Sequence, residues 1–284
     1  MDQALDAAAV RCDAEALEAR LQGETADLTL PPLLAPRGTN HPVTLVERRC
    51  AAVMRQLGFD FVDGPEVEHP WFNFDALNIP EHHPARDMQD TYWVNDGWLL
   101  RSHTTTVQGR VLCKTPAPPV RVVTMGRVYR NEAVDATHLA MFHQFEGIWV
   151  DRGLSFAHLR GTLAFIARSL YGNRNIRFKP KFYPYTEPSV GVDVACATCD
   201  GSGEFDKEPC ESCHGAGWVT ILGAGMIHPS VLRGFGYNPD EVSGIAFGLG
   251  TTRMAAQWAG TRRLKGMYES DLRTHRALSV PGVS

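Results

Sequence analysis

No apolar stretch in this sequence approaches the eighteen or so residues that would read as a membrane-crossing helix, so a membrane partner is not expected. Its first residues, Met1-Asp2-Gln3, are acidic and lack the basic-then-apolar order of an export signal, which predicts a cytoplasmic location. Positive charge is scarce as well. Lys and Arg number 28 against 32 Asp and Glu, and residues 1–40 hold seven acidic groups against three basic ones. A surface that grips nucleic acid by itself shows the reverse balance, so any RNA partner is expected to be held mainly by another part or another chain. Basic residues elsewhere are dispersed apart from Arg262-Arg263 with Lys265, and no internal repeat is visible. What is present is ordinary for a globular protein. A chain of 284 residues, 44% hydrophobic and 21% charged, can bury a full-sized core and has no reason to be disordered as a whole.

Cysteine is thin except in one place. Cys12, Cys50 and Cys113 are scattered and read as small buried or free thiols. The other four form Cys196-x2-Cys199-x10-Cys210-x2-Cys213. In a chain with no export signal, two CxxC pairs read as a metal site and not as disulfides. Four thiolates at this spacing suit tetrahedral zinc with no open position, hence a structural ion. The glycines after each pair free backbone amides for the sulfurs, and His214 reads as a bystander. The expected unit is a zinc-knuckle insertion over 195–217.

Residues 3–22 are rich in Ala, Leu and Glu and predict a short helix; Pro31-Pro32 and Pro36-Arg37-Gly38 then mark a linker. Apolar residues at 43, 46, 50, 53, 54 and 57 predict a one-faced helix ended by Gly58. Phe59 to Glu68 alternates as a strand around a Gly64-Pro65 turn. Val120 to Tyr129 and Met141 to Val150 read as strands joined by a polar loop. Ser155 caps a helix to Tyr171. Strands follow near 176–185, 191–195 and 217–223, then a short helix at Pro229, a strand from Ile245 to Leu249, and a helix from Gly250 to Gly260. Several strands in series flanked by helices predict an α+β fold with an antiparallel sheet. The expected domains are a helix and linker over 1–40 and a catalytic domain over 41–284.

The chemistry concentrates in four pieces. The first is Gly126-Arg127-Val128-Tyr129-Arg130-Asn131-Glu132, a loop with His138, then Phe142-His143-Gln144-Phe145-Glu146. Strand alternation puts Arg130 with Glu132, and Phe142 with Gln144 and Glu146, on shared faces. A fork-shaped cation, an aromatic plane and several acceptors on one surface suit a nucleotide triphosphate beside a small zwitterion. The second is Gly248-Leu249-Gly250-Thr251-Thr252-Arg253, where glycines at a strand-to-helix junction let a ligand approach the backbone. The third is Leu100-Arg101-Ser102-His103-Thr104-Thr105-Thr106-Val107-Gln108. The fourth is Asn73 to Asn78, followed by His83 to Thr91.

Together these pieces resemble the bacterial phenylalanyl-tRNA synthetase alpha chain, a member of the class II aminoacyl-tRNA synthetases, from about Asp27 to Arg273. The β-hairpin resembles that family's motif 2, the Gly-Leu-Gly stretch its motif 3, and the helix from His41 its motif 1, a dimer element. The resemblance implies a class II antiparallel sheet flanked by helices and ATP-dependent formation of an aminoacyl-adenylate, with Mg2+ on the phosphates. It implies ATP contacts from Arg130 (alpha-phosphate), Glu132 (adenine amine), Phe142 (adenine stacking), His138 and Arg253 (distal phosphates); Arg130, His138 and Arg253 would be the catalytic set. His103, Thr105, Gln108, Gln144 and Glu146 would surround the ammonium and carboxylate, and Tyr183, Tyr185 and Ala246 the side chain. It also implies tRNA and a beta chain as partners, and dimerisation through the motif 1 region.

The sequence departs from the family in three places. Tyr183-Pro184-Tyr185 stands where the family has Phe-Pro-Phe, which puts two phenols into a pocket expected to be apolar; Thr105 replaces a usual serine and Gly191 a usual glutamate. A buried phenol needs a hydrogen-bond partner, so an altered, more polar substrate is expected beside the alternative that phenylalanine still fits. The family's basic coiled-coil arm is represented only by about Arg11 to Gln22. The cysteine insertion is the third departure. Three readings follow: a tRNA-charging subunit, a stand-alone paralogue that passes the activated amino acid to another acceptor, and a non-catalytic amino-acid sensor, the last disfavoured by the full set of ATP contacts.

Overall fold

The computed structural model describes residues 2–23, 40–86, 91–115, 117–131, 139–261, 264–269 and 278. Two compact units divide the chain, Met1–Thr39 and Asn40–Ser284. Of the first, the described part is one helix, α1 (Asp2–Gly23). The second begins with α2 (Pro42–Gln56). His41 caps α2 by accepting from the Val43 N–H, proline sits in its first turn, and Gly58 past its end takes φ of 72°. Its remaining elements are β1 (Asp60–Phe61), β2 (Val67–Glu68), α3 (Pro70–Asn73), β3 (Leu99–Leu100), α4 (Thr105–Lys114), β4 (Val120–Tyr129), β5 (Met141–Asp151), α5 (Phe156–Tyr171), β6 (Ile176–Tyr183), β7 (Thr186–Ala195), β8 (Glu204–Phe205), β9 (Glu208–Pro209), β10 (Trp218–Ile227), α6 (Pro229–Gly234), β11 (Ser243–Gly250) and α7 (Thr251–Trp258). Among the described residues, no helix is long and apolar enough to cross a membrane.

One seven-stranded sheet runs β1-β4-β5-β11-β10-β7-β6 and is antiparallel except for the β1–β4 pair. Alternation along its strands separates two faces. Val123, Phe145, Val190, Val192, Leu222, Ile245 and Phe247 point to one face. There they pack with Val46 and Val53 of α2, Leu159 and Leu163 of α5, and Met254 and Ala255 of α7 as the main core. Among the described residues the opposite face is covered at one end only, where Val122, Ile148 and Val150 meet Leu112 of α4 and Leu232 of α6. Its other half stays open, and that open half is a trough.

Two expectations change. Phe59 to Glu68 divides at the expected Gly64-Pro65 turn, but its two halves belong to different sheets. β1 joins the main sheet and β2 pairs with β3 in a separate ribbon. The chain divides where Arg101 captures the Gly64 and Pro65 carbonyls. β7 starts at Thr186, five residues before its expected start, and so forms a continuous hairpin with β6 around Pro184-Tyr185.

Candidate active site and metal centre

The trough encloses about 470 Å³ and is lined from five strands and three helices. β5 contributes Phe142, Gln144 and Glu146, all on the open face; β11 contributes Ala246 and Gly248; Arg253 enters from the first turn of α7; Thr105 and Gln108 enter from the start of α4. Arg130 lies 5.1 Å from the Phe142 ring centre, so guanidinium and aromatic plane are already stacked, and its Nε donates to the Ser102 carbonyl at 3.2 Å. Gln108 Nε2 and Gln144 Oε1 are buried and have no hydrogen-bond partner among the described residues. Orphaned polar atoms of this kind are costly unless a ligand meets them, and these two belong to side chains that line the same trough.

Glu146 is buried and accepts a hydrogen bond from Thr105 Oγ1 at 2.5 Å. Burial pushes its carboxyl above the usual range, against the lowering effects of the threonine hydroxyls, Arg130 and Arg101. Tyr183 and Tyr185 stack at 5.7 Å with 16° between planes. Period-two alternation places both on one face in sequence, but Tyr185 sits in the turn after β6, so its ring reaches the trough by the turn and not by the strand. A Cβ on Gly223 would fall closer than 3.0 Å to the Tyr183 hydroxyl, which shows that this phenol lies on β10 at a position only glycine allows. Burial raises the pKa of both tyrosines, with Glu146 adding to the effect at Tyr185, so both hydroxyls are donors at neutral pH.

His103 is near this site but not in its wall. Its Nε2 meets the Asn73 carbonyl at 3.1 Å while Nδ1 is buried without a partner among the described residues, and burial, reinforced by Arg130, lowers its pKa to about 4. Glu132 and His138, predicted from motif 2, lie outside the described residues, as do Arg262, Arg263 and residues 270–273.

Sequence reasoning missed Arg101, a guanidinium that is 1% exposed. Its Nε donates to the Arg127 carbonyl at 2.8 Å and its Nη1 to Gly64 at 3.1 Å and Pro65 at 3.3 Å. Its own backbone carbonyl accepts from the Tyr129 N–H at 2.9 Å. One buried side chain thus fixes the β4 strand that leads directly into Arg130. The hint in sequence was an arginine inside the apolar run Trp98-Leu99-Leu100, a placement with no surface use.

The second centre is the cysteine quartet. Cys196, Cys199, Cys210 and Cys213 are all buried and their sulfurs lie within 4.8 Å of one another. Cys196 to Cys210 is 3.9 Å and Cys199 to Cys213 is 3.7 Å. Tetrahedral zinc with bonds of about 2.3 Å requires sulfur separations of about 3.8 Å, so the residues fit the ion. The Gly203 and Gly217 amides donate to Cys199 and Cys213 at 3.3 and 3.1 Å, which stabilises negative charge on the sulfurs. β8 and β9 form the small ribbon of this module. Among the described residues no other cluster of three or more metal-ligating groups occurs.

A family model for the class II core domain of tRNA synthetases (F) matches residues 25–278. The phenylalanine–tRNA ligase alpha subunit of Heliobacterium modesticaldum is 48% identical over 258 residues, covering 90% of this chain and 74% of that protein. That of Desulforudis audaxviator is 46% identical over 274 residues, covering 96% and 79%. Among solved structures, the pyrrolysyl-tRNA synthetase of Desulfitobacterium hafniense shares the fold, with a TM-score of 0.59 at 18% identity over 81% of this chain and 74% of that one. The chain therefore belongs to the class II tRNA synthetase core family and, within it, to the phenylalanine–tRNA ligase alpha subunits.

Proposed function

We propose that the chain activates an amino acid with ATP in the trough, releasing pyrophosphate and holding an aminoacyl-adenylate for transfer. The observation that carries this is convergence. Arg130, Phe142, Gln144 and Glu146 from the β4–β5 hairpin meet Arg253 from α7 in one cavity, with buried amide groups of Gln108 and Gln144 awaiting a ligand. A carboxylate oxygen of the amino acid attacks the alpha-phosphorus in line; the bond from that phosphorus to the bridging oxygen breaks, and the electron pair leaves on pyrophosphate. No general base is needed, because the nucleophile is already ionised at neutral pH. Catalysis is then positioning and charge stabilisation.

Arg130 would grip the alpha-phosphate as a bidentate donor, Phe142 would carry the adenine, and Arg253 with His138 would meet the distal phosphates; Glu132 would read the adenine amine. Thr105, Gln108, Gln144 and Glu146 would receive the substrate's ammonium and carboxylate, with His103 beside them, held by its contact with the Asn73 carbonyl. Magnesium would arrive with the triphosphate and neutralise it. The described residues offer no carboxylate cage there, which suits an ion that keeps phosphate and water ligands. Zinc would be held by Cys196, Cys199, Cys210 and Cys213 and would serve structure alone. The catalytic unit would span 41–284 after a helix and linker over 1–40, with the knuckle at 195–217, and would dimerise through α2 in the cytoplasm.

The side-chain pocket departs from a plain phenylalanine site. No hydrogen-bond acceptor for the hydroxyls of Tyr183 or Tyr185 is found among the described residues, and both residues line the trough, so the pocket offers two donors that an unsubstituted phenyl ring leaves unmet. The activated amino acid would pass to tRNA with a beta chain, or to another acceptor. Thermal shift with a panel of aminoacyl-sulfamoyl-adenosines tests the reading. At a hundredfold excess over Kd, the matching analogue adds about 2.7 kcal/mol, and Arg130→Gln should abolish that gain. If no analogue raises Tm more than AMP does, the reading is wrong.

A further inference from the structure

We infer that the β6–β7 end of the trough reads a negative charge, so that the amino acid activated here carries an anionic group at the far end of its side chain, received by Lys181 and the Tyr183 hydroxyl. This rests on the activation reading above and goes on to name the class of substrate.

On β6 the residues facing the open side of the sheet are Arg177, Lys179 and Lys181. The first two are neutralised. Buried Asp193 of β7 accepts from Arg177 Nε at 2.8 Å, from Lys179 at 2.7 Å and from Thr220 at 2.7 Å. That carboxylate is already met by three donors, two of them cations, and Lys181 has no acidic partner among the described residues. Lys181 is also the one of the three that lines the trough.

Its direction is set by a missing side chain. Lys181 Cγ and Cε lie 3.2 and 3.3 Å from where a Cβ on Gly191 would stand, so the lysine stem lies flat across β7 in the space that glycine leaves. The stem is thereby held against the sheet in a residue that lines the trough. Gly191 is the register partner of Gly223 on β10, the residue beneath the Tyr183 hydroxyl. An ammonium stem and a phenol donor therefore occupy neighbouring strands at one level, about 4.8 Å apart in strand spacing.

At the same level, Gly223 pairs with Gly248 and Gly248 with Glu146 on β5. Glu146, the only carboxylate among the described lining residues, is thus three strands from Gly191, about 14 Å between backbones. The trough is polar in the literal sense, with an ammonium acceptor at one side and an unneutralised cation with a phenol donor at the other. Arg130 and Arg253 are assigned to the nucleotide, which leaves Lys181 for the amino acid. A zwitterion with a distal anion complements that pattern, whereas a neutral hydrocarbon side chain leaves both donors unmet.

The test is ATP–pyrophosphate exchange by the full chain, with its beta chain if one is needed, on two shape-matched pairs: glutamate against glutamine, and 4-carboxyphenylalanine against 4-carbamoylphenylalanine. The charged member of at least one pair should exceed the neutral one at least tenfold in kcat/KM. Lys181→Met should cut that ratio at least tenfold, and Lys181→Arg should keep it. Lys181 is exposed, so these variants fold. Equal use of both members in both pairs, or a ratio unmoved by Lys181→Met, overturns the inference while exchange itself upholds activation. An effect of Lys181→Met confined to the KM for ATP overturns it too. Absence of exchange with these four and with all twenty standard amino acids overturns the activation reading, and this inference with it.

Discussion

Replacing Arg101 by methionine isolates the role of the buried guanidinium that anchors the β4–β5 hairpin. The change keeps most of the aliphatic volume and removes the donors that hold three carbonyls, those of Arg127, Gly64 and Pro65. An orphaned buried acceptor costs about 1–3 kcal/mol, and water entering the vacated space returns part of that, so the net loss should be about 3–5 kcal/mol. For a domain of this size that lowers Tm by roughly 10 °C. Gly126→Ala attacks the same contact from the other side, because its Cβ would fall closer than 3.0 Å to Arg101 Nη2. Urea unfolding monitored by tryptophan fluorescence measures both, and the double variant should fall short of the sum of the single losses. Exchange kinetics should add a drop in kcat larger than any rise in KM, since Arg130 follows the anchored strand by one residue from Tyr129. A loss below about 1 kcal/mol for Arg101→Met, with strict additivity in the double variant, would refute the anchor.

Zinc analysis of the purified chain should find close to one equivalent, and Cys210→Ser should lower it below about half. The quartet packs as its own small cluster apart from the main core, so Cys210→Ser should leave exchange within about threefold while the 195–217 segment becomes protease-sensitive; collapse of exchange would contradict a purely structural ion. His103 supplies a pH signature. Its folded pKa near 4 lies below the ordinary value of 6.5, so the unfolded chain binds the extra proton first and stability falls as pH drops from about 6.5 towards 4. At pH 5 that loss is about 2 kcal/mol. A His103→Gln variant should lose stability less steeply over this window; parallel curves would show that His103 is not the titrating group. Tyr183→Phe with Tyr185→Phe should shift relative kcat/KM towards phenylalanine by about tenfold or more, and an unchanged profile would show that the phenols do not read the substrate.

Local signals in the sequence carried much of this architecture, and long-range ones did not. The 3.6-residue spacing of α2, its His41 cap and the positive φ of Gly58 are all consequences of neighbours in the chain, and the helix is legible from them. The same holds for β4, β5 and the cysteine quartet. That the two halves of Phe59 to Glu68 belong to different sheets is not legible, because their division depends on Arg101, some forty residues away. The early start of β7 depends on pairing with β6 and β10 on both sides. In the trough, alternation places Phe142, Gln144 and Glu146 together, since period two is a local rule. Gly191 stands out in sequence as a departure from the family, but what it and Gly223 make room for is not legible there, because each matters for the side chain that another strand lays across it.

The central claim is that the trough makes an aminoacyl-adenylate. Amino-acid-dependent exchange of labelled pyrophosphate into ATP by the purified chain, with and without a beta chain, measures that step directly. Exchange that appears only with a matching amino acid and falls at least a hundredfold in Arg130→Gln is the predicted result. Binding of the amino acid with no exchange under either condition would contradict the account and mark the protein as a sensor.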